Sequence, residues 1–302
     1  MAGCKLNEND DQKPYEVITM RLIRRNSTLF SIFLSSILVL GFTVAALGAN
    51  EISGNEILEK VDQKSEIVSQ GEILSILTLH DVKPDGSTRD LKLAALARKA
   101  TDQPNRTLTY FMQPEGLSGS IFLSRDTEEG ETRMWSYLPA YQRKIEVSAS
   151  QKQSSFFGTT LTYEDIGNWN FSSSFTAEVV EETTVEVGEE TLPAYKIKLT
   201  PREGVETEYP NQTIWVGKDN WLLLSSRTYN DEGELKVKME VQEITTFEEN
   251  TVTKKLEKEL VESGHSTTVI YDKRARPDQD IPDSIFDPEN LSEFDPEKWG
   301  MT

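Results

Sequence analysis

Alternation in the second half of the chain constrains the fold more than any other feature. Lys196 and Lys198 separate Tyr195, Ile197 and Leu199, while Lys236, Lys238 and Glu240 separate Leu235, Val237, Met239 and Val241. A period of two sends apolar side chains to one side of a strand and charged ones to the other. These segments therefore predict an antiparallel sheet with one greasy face and one wet face. Further strands are expected at 72–82, 106–112, 118–124, 133–138, 175–180, 183–187, 194–200, 213–216, 221–229 and 235–244. Polar turns such as Lys83-Pro84-Asp85-Gly86, Lys218-Asp219-Asn220 and Asn230-Asp231-Glu232-Gly233 separate them. Short strands at regular spacing with polar turns make a meander.

Helices are too few to cover such a sheet. Ser53 and Glu56 have the spacing of a capping box, Ile52 and Ile57 that of a hydrophobic staple, and Ile57, Leu58 and Val61 give an apolar stripe. A short C-terminal helix is expected with Asp287 as cap, Pro288 at its first position, and Phe286 and Leu291 as staple. Residues 254–265 read equally as a third helix, with Leu256 and Leu260 four apart, or as a strand turning at Ser263-Gly264 into another strand at 267–271. Two or three helices on about ten strands leave either a closed barrel or a half-covered hydrophobic cavity.

The first fifty residues read as a leader outside the folded domain. Arg21, Arg24 and Arg25 precede an apolar run at 29–44, and the small-residue stretch Ala45-Ala46-Leu47-Gly48-Ala49 follows. The run is shorter than the roughly 18 residues that a spanning helix needs, so a cleavable secretory signal ending near Gly48 or Ala49 is expected, with Met20 as a candidate start. The only cysteine, Cys4, lies upstream of the run, where it cannot carry a lipid anchor. The expected mature chain, residues 50–302, is a single soluble extracytoplasmic domain without thiol or disulfide.

Residues 1–49 hold five of the 32 Lys and Arg and four of the 51 Asp and Glu, leaving 27 basic against 47 acidic residues. A net charge near −20 opposes binding to phosphate backbones, which excludes nucleic acid as a partner class.

Catalytic patterns are poor. The mature chain has two histidines, His80 and His265, and neither a GxSxG elbow, an HExxH pair nor a glycine-rich phosphate loop. Tyr163-Glu164-Asp165 is the remaining acid cluster. Adjacent carboxylates diverge rather than face each other across a cleft, and they also suit the first turn of a helix. No enzyme, metal or cofactor is expected. The aromatics say more: Trp135, Tyr137, Tyr141, Phe156, Phe157, Tyr163, Trp169, Phe171 and Phe175 crowd into 135–175. Phe156-Phe157 lies in a Ser- and Gly-flanked segment without strand alternation, which suits either a lid over an apolar ligand or a buried loop.

The segment MWSYLPAYQRKIEVSASQKQSSFFGTTLTYEDI, 134–166, resembles the outer-membrane lipoprotein-sorting family of the LolA-like superfamily. The resemblance rests on Trp135, Tyr137, Leu138 and Pro139, on Arg143 and Lys144, on Ser155, Phe156, Phe157, Gly158 and Thr159, and on Tyr163, Glu164 and Asp165. It covers roughly 51–294. It implies an α+β fold: an incomplete, strongly curved antiparallel β-barrel of about ten or eleven strands, with a few helices plugging a hydrophobic cavity. It also implies a periplasmic carrier, or chaperone, of lipid or lipoprotein acyl chains, acting as a monomer and associated with an RND/MMPL-type exporter. A lipid- or peptide-sensing regulatory module on the same fold is the alternative, and a hydrolase using Glu164 or Asp165 is a third. The expected ligand-facing residues are Trp135, Tyr137, Phe156, Phe157 and Tyr163, with Leu108, Tyr110, Leu222, Leu224, Val237 and Met239 from the greasy sheet face. Glu164 and Asp165 are expected to anchor the Phe segment to Arg143 or Lys144, or to face a partner.

Overall fold

The computed structural model describes residues 52–301 apart from 101–102, 129–130, 167–170, 206 and 208–209. The leader and its cleavage point, and Trp169, lie outside the described residues. Helix α1 (Gly54–Ser69) leads into β1 (Gly71–Val82), β2 (Thr88–Ala100), β3 (Gln103–Gln113), β4 (Ile121–Asp126), β5 (Thr132–Leu138) and β6 (Arg143–Val147). A crossover at 148–174 carries two single-turn helices, α2 (Tyr163–Ile166) and α3 (Phe171–Ser174). Then follow β7 (Phe175–Val187), β8 (Glu190–Pro201), β9 (Asn211–Gly217), β10 (Leu223–Tyr229), β11 (Leu235–Phe247), β12 (Asn250–Leu260) and β13 (His265–Ala275). The C-terminal segment has 3-10 turns at Asp283–Phe286, Pro288–Glu293 and Glu297–Trp299. Among the described residues, no helix is long and apolar enough to cross a membrane.

All thirteen strands join one antiparallel sheet in the order β6-β5-β4-β3-β2-β1-β13-β12-β11-β10-β9-β8-β7. Sequence neighbours pair throughout, β1 pairs with β13, and the one long jump runs from edge strand β6 to edge strand β7. The sheet is strongly curved and does not close. Bulges interrupt the register at Ile76/Leu77, Val179/Glu181, Leu223/Ser225, Thr228/Tyr229 and Val241/Glu243. Further shifts lie at Lys92/Leu93, Arg98/Ala100 and Glu243/Ile244. Each bulge bends its strand and adds local twist, and half of the eight fall on β10 and β11.

Helix α1 lies on the concave side. Ser53 and Glu56 form the capping box: Glu56 N donates to Ser53 Oγ at 3.2 Å and Ser53 N to the Glu56 carboxylate at 2.8 Å. The helix begins against edge strand β7, where Asn55 Oδ1 accepts from Ala177 N at 2.8 Å. A Cβ on Gly54 would stand 2.3 Å from Ala177 O, so only glycine permits this approach. The far end of α1 reaches β2, so the helix spans the opening of the curve from its edge. Ile57, Leu58 and Val61 pack onto Ile197, Leu199, Ile214 and Val216, joined by Ile52, Phe171 and Phe175.

Paired residues on neighbouring strands share a face, which lets the concave surface be traced across the sheet. It runs through Ile197, Ile214, Ser226, Met239, Lys258, Thr267, Asp81 and Arg89, each paired with the next. The crossover lies on this same face.

Several expectations need correction. Strand β2 has no counterpart among the expected strands because it does not alternate: Leu91 and Leu93 enter one core, Ala94 and Leu96 the opposite one. A strand buried on both faces reads as a continuous apolar run. Strand β6 was also not expected. Residues 175–187 form one bulged strand rather than two, and 254–265 take the strand-and-turn alternative. These changes raise the count from ten or eleven to thirteen. The C-terminal helix is a 3-10 turn, with Asp287 capping it as expected by accepting from Glu289 N at 2.9 Å.

Candidate functional site

The crossover brings Phe156, Phe157, Leu161 and Tyr163 down onto Leu79, Leu91, Leu93, Phe111, Phe122, Met134 and Val269 of the concave face. Phe156 has no exposed surface. Its ring meets Phe122 at 5.3 Å and Tyr163 at 5.4 Å, both edge-on, and Phe157 at 5.0 Å. Phe157 lies 4.3 Å from Phe111 and remains half-buried. Two successive left-handed residues, Phe157 at φ 49° and Gly158 at φ 76°, let both rings turn inward from adjacent positions. A left-handed phenylalanine costs about 1–2 kcal/mol, which aromatic burial of about 1.5–3 kcal/mol per ring offsets. The turn is closed by Thr159 N donating to Phe156 O at 3.1 Å and by Phe156 N donating to Leu161 O at 2.6 Å. Burial pushes the Tyr163 phenol up.

Beside this aromatic nest, a buried polar cluster holds the crossover to the sheet. Asp81 has no exposed surface. Its Oδ1 accepts from Thr267 Oγ1 at 2.8 Å and pairs with His265 Nε2 at 2.9 Å. Its Oδ2 meets Lys83 Nζ at 3.0 Å and Arg89 Nη2 at 3.3 Å. The same groups reach the crossover backbone: Arg89 donates to Phe157 O at 2.9 Å and Lys83 to Gly158 O. Thr160 N donates to Thr267 Oγ1 at 2.9 Å, and Thr160 Oγ1 to Lys258 O at 3.0 Å. Burial alone would raise the Asp81 carboxyl, but hydrogen bonds from Lys83, His265 and Thr267 outweigh it and hold the group below the usual range.

Glu164 and Asp165 occupy the first turn of α2. Asp165 accepts from Thr162 N at 2.7 Å while Thr162 Oγ1 accepts from Asp165 N at 3.1 Å, a reciprocal cap. Asp165 also bridges Lys258, and Glu164 accepts from Gln153. The anchoring cation is therefore Lys258, not the expected Arg143 or Lys144. Arg143 is exposed, and Lys144 pairs with Glu289.

The eleven expected ligand-facing residues fall into separate places. Phe156, Phe157 and Tyr163 form the nest. Val237 and Met239 share the concave face and are partly exposed, Met239 being paired with Lys258. Leu222 and Leu224 pack with Val187, Ala194 and Val241 where the β7–β8 hairpin curls against β10 and β11. Leu108, Tyr110, Trp135 and Tyr137 lie on the other side of the sheet. There they meet Ile281, Ile285, Phe286, Leu291, Phe294, Trp299 and Met301 of a C-terminal strap, residues 277–301. The division follows from parity, since Leu108 and Phe111 sit on opposite faces of one strand.

Two open clefts flank the strap. One, of about 490 Å3, is lined by Tyr137, Gln142, Lys144, Pro288, Glu289, Leu291 and Ser292. The other, of about 390 Å3, lies among Gln70, Gly71, Glu72 and residues 276–280.

Sequence reasoning missed Asp81, Lys83, Arg89, Lys258, His265 and Thr267 as a cluster. A signal for one of them was present: Asp81 continues the inward register of Leu77 and Leu79, an acid in an apolar series.

A family model described as "Uncharacterized protein" matches residues 103–293. No curated protein matches the chain. Solved structures do. A DUF1329 family protein from Desulfovibrio piger is similar at a TM-score of 0.69 and 21% identity, over 78% of this chain and 97% of the other. A domain described as an outer membrane lipoprotein-sorting protein domain, from Vibrio parahaemolyticus, is similar at a TM-score of 0.69 and 17% identity, over 79% and 97%. A LolA superfamily protein from Nitrosomonas europaea is similar at a TM-score of 0.59 and 18% identity, over 78% and 98%. The open curved sheet, the helix across its mouth and the matched 103–293 segment agree: the chain belongs to the family of that model, and its fold is the LolA-like one.

Proposed function

We propose that this chain is an extracytoplasmic carrier of acyl chains, working as a soluble monomer in the periplasm after loss of its leader. Its cargo is a lipid or the acyl chains of a lipoprotein, and its partner is a membrane exporter of the RND/MMPL type. The observation that carries this reading is the aromatic nest roofed by an irregular crossover. Phe157 and Tyr163 are half-buried at its margin, and Leu256, Tyr271, Met239 and Val237 continue an apolar, partly exposed path along the concave face. The fold shared with a domain described as lipoprotein-sorting supports it.

Apolar cargo suits such a site energetically. A sixteen-carbon chain gains about 0.8 kcal/mol per buried methylene, on the order of 10 kcal/mol before ordering costs. Rings already fill the nest, so cargo enters by exchange: Phe157 swings out with its crossover and methylenes take its place. Because the area lost and gained is similar, loading and unloading can both remain accessible. A lid of this kind sets the rates.

Native mass spectrometry of the purified protein tests the reading. Acyl lipid should accompany the protein, and Phe157→Glu should reduce its amount. Protein that carries no lipid and has no affinity for a fluorescent fatty acid would overturn the proposal.

A further inference from the structure

The outer face of β1–β5 is ordered in rows. Leu74, Leu96, Leu108, Leu123 and Trp135 are directly paired across five strands. Ile76, Ala94, Tyr110, Ile121 and Tyr137 form the next row. On the other side of the leucine row, at the rim, Glu72 pairs with Arg98, Arg98 with Arg106, Arg106 with Arg125 and Arg125 with Arg133. Four arginines thus stand side by side on neighbouring strands, their Cα positions spanning about 14 Å at the usual strand spacing of about 4.8 Å.

Such a row does not arise from stability. Like charges directly opposite each other across strands are unfavourable, and this chain has only 32 basic residues against 51 acidic ones. Nor is the row fully neutralised. Arg98 pairs with Glu72 at 2.7 Å and Arg133 with Glu146 at 2.7 Å. Asp283 of the strap bridges Arg98 and, at 2.9 Å, Arg106. Arg125 has no ion-pair partner among the described residues, and Arg106 Nε is buried without an acceptor. Arg98 and Arg106 are only 17% and 13% exposed. Partly dehydrated guanidinium forks beside apolar rows are matched to a carboxylate or phosphate attached to a hydrocarbon chain.

The strap already imitates such a molecule. Its Asp283 carboxylate lies against Arg98 and Arg106, while Phe286, three residues on and with no appreciable exposed surface, lies in the leucine and tyrosine rows under Arg98. We propose that the arginine row and the apolar rows beside it form a binding site for an anionic acyl lipid, which the C-terminal strap fills as an internal pseudo-ligand. Asp283 takes the place of the headgroup and Phe286 that of the chain. The site rests on the carrier reading for its ligand class, but it lies on the opposite face of the sheet from the Phe156-Phe157 nest. Binding here requires the strap to lift, so headgroup charge and strap release are coupled.

Titration of the purified protein, followed by Trp fluorescence and calorimetry, tests this with three probes: palmitate, uncharged palmitoyl glycerol and inorganic phosphate. Asp283→Ala removes the internal competitor and should tighten palmitate by about tenfold; Arg125→Gln removes an unpaired cation and should weaken it by about tenfold. Palmitoyl glycerol, which lacks the charge, should not respond to Arg125→Gln. Circular dichroism of Arg125→Gln should match the parent chain, since no ion pair is lost. Wild-type palmitate affinity in Arg125→Gln, or no gain in Asp283→Ala, would overturn the site. So would phosphate binding as strong as palmitate binding, which would mean an anion site with no slot for a chain. Palmitate binding that ignores both substitutions but falls in Phe157→Glu removes this site and leaves the carrier reading standing. If no variant binds any acyl probe, both fall.

Discussion

On the concave side of β1–β5 the crossover is held by Thr267, Lys83 and Arg89, which converge on Asp81; Asp81 and Thr267 have no exposed surface. On the other side the strap is held at its rim by Asp283 and Glu289, whose side chains are 72% and 78% exposed. Both covers bury phenylalanine, Phe156 in one and Phe286 in the other. The difference lies in the fastening. A carboxylate enclosed with four donors is costly to separate, because any released charge stays buried. An exposed carboxylate exchanges its partner for water at little cost. The strap should therefore lift at lower free energy than the crossover, and local openings of this sort precede global unfolding.

The largest expected effect lies in the nest. Phe156→Ala should lower the unfolding free energy by about 3–5 kcal/mol, measured by urea denaturation, through lost burial and the cavity left among Phe111, Phe122 and Tyr163. A loss below about 1 kcal/mol would mean the crossover is a surface flap, and the contrast with the strap would collapse.

Asp81→Asn comes next, at about 3 kcal/mol, since Lys83 and Arg89 remain beneath the crossover without their counter-charge. Its pH dependence has a definite sign. The folded carboxyl sits below its unfolded value of about 3.9, so it binds fewer protons when folded. Its contribution is complete above that value and is lost as pH falls through the lower folded one. Acid titration of stability should show a steep decline below about pH 4 in the parent chain and a shallower one in Asp81→Asn. Equal slopes would show that Asp81 does not set the latch.

What the sequence disclosed follows the range of each signal. The Ser53-Glu56 box, the Asp287 cap and the β11 alternation are local, and each could be read within a few residues. Long pairing was not legible. Arg98, Arg106, Arg125 and Arg133 mean nothing apart in sequence; only the register of four strands makes them a row. The Asp81 cluster likewise joins β1, β2 and β13. Face assignment failed for Leu108 and Tyr110 against Val237 and Met239 for the same reason, because parity between distant strands depends on bulges such as Lys92/Leu93 in the β2–β3 pairing. The Phe156-Phe157 pair was visible early, because two adjacent aromatics outside any strand pattern need a special turn, and the left-handed pair Phe157-Gly158 supplies it.

The strap should respond differently to the same kinds of change. Phe286→Ala should cost less than Phe156→Ala, about 1–2 kcal/mol, because the strap can detach without unravelling the sheet. Limited proteolysis should then cut first within 277–301, while 148–166 stays protected.

Asp283→Asn should have the smallest effect on stability and the clearest effect on motion. Arg106 and then Arg98 hold its carboxyl below the usual range, yet it is well exposed to water, so the urea midpoint should stay within the scatter of the measurement. Proteolysis of 277–301 should nevertheless accelerate, and about 1 M salt, where the screening length falls to roughly 3 Å, should bring the parent chain toward the same rate. The crossover should show a smaller salt response, because the carboxylate on which its cations converge, Asp81, is enclosed. Equal salt sensitivity at 148–166 and 277–301 would remove the distinction between an enclosed latch and an exposed one, and with it the reason for expecting the strap to open first.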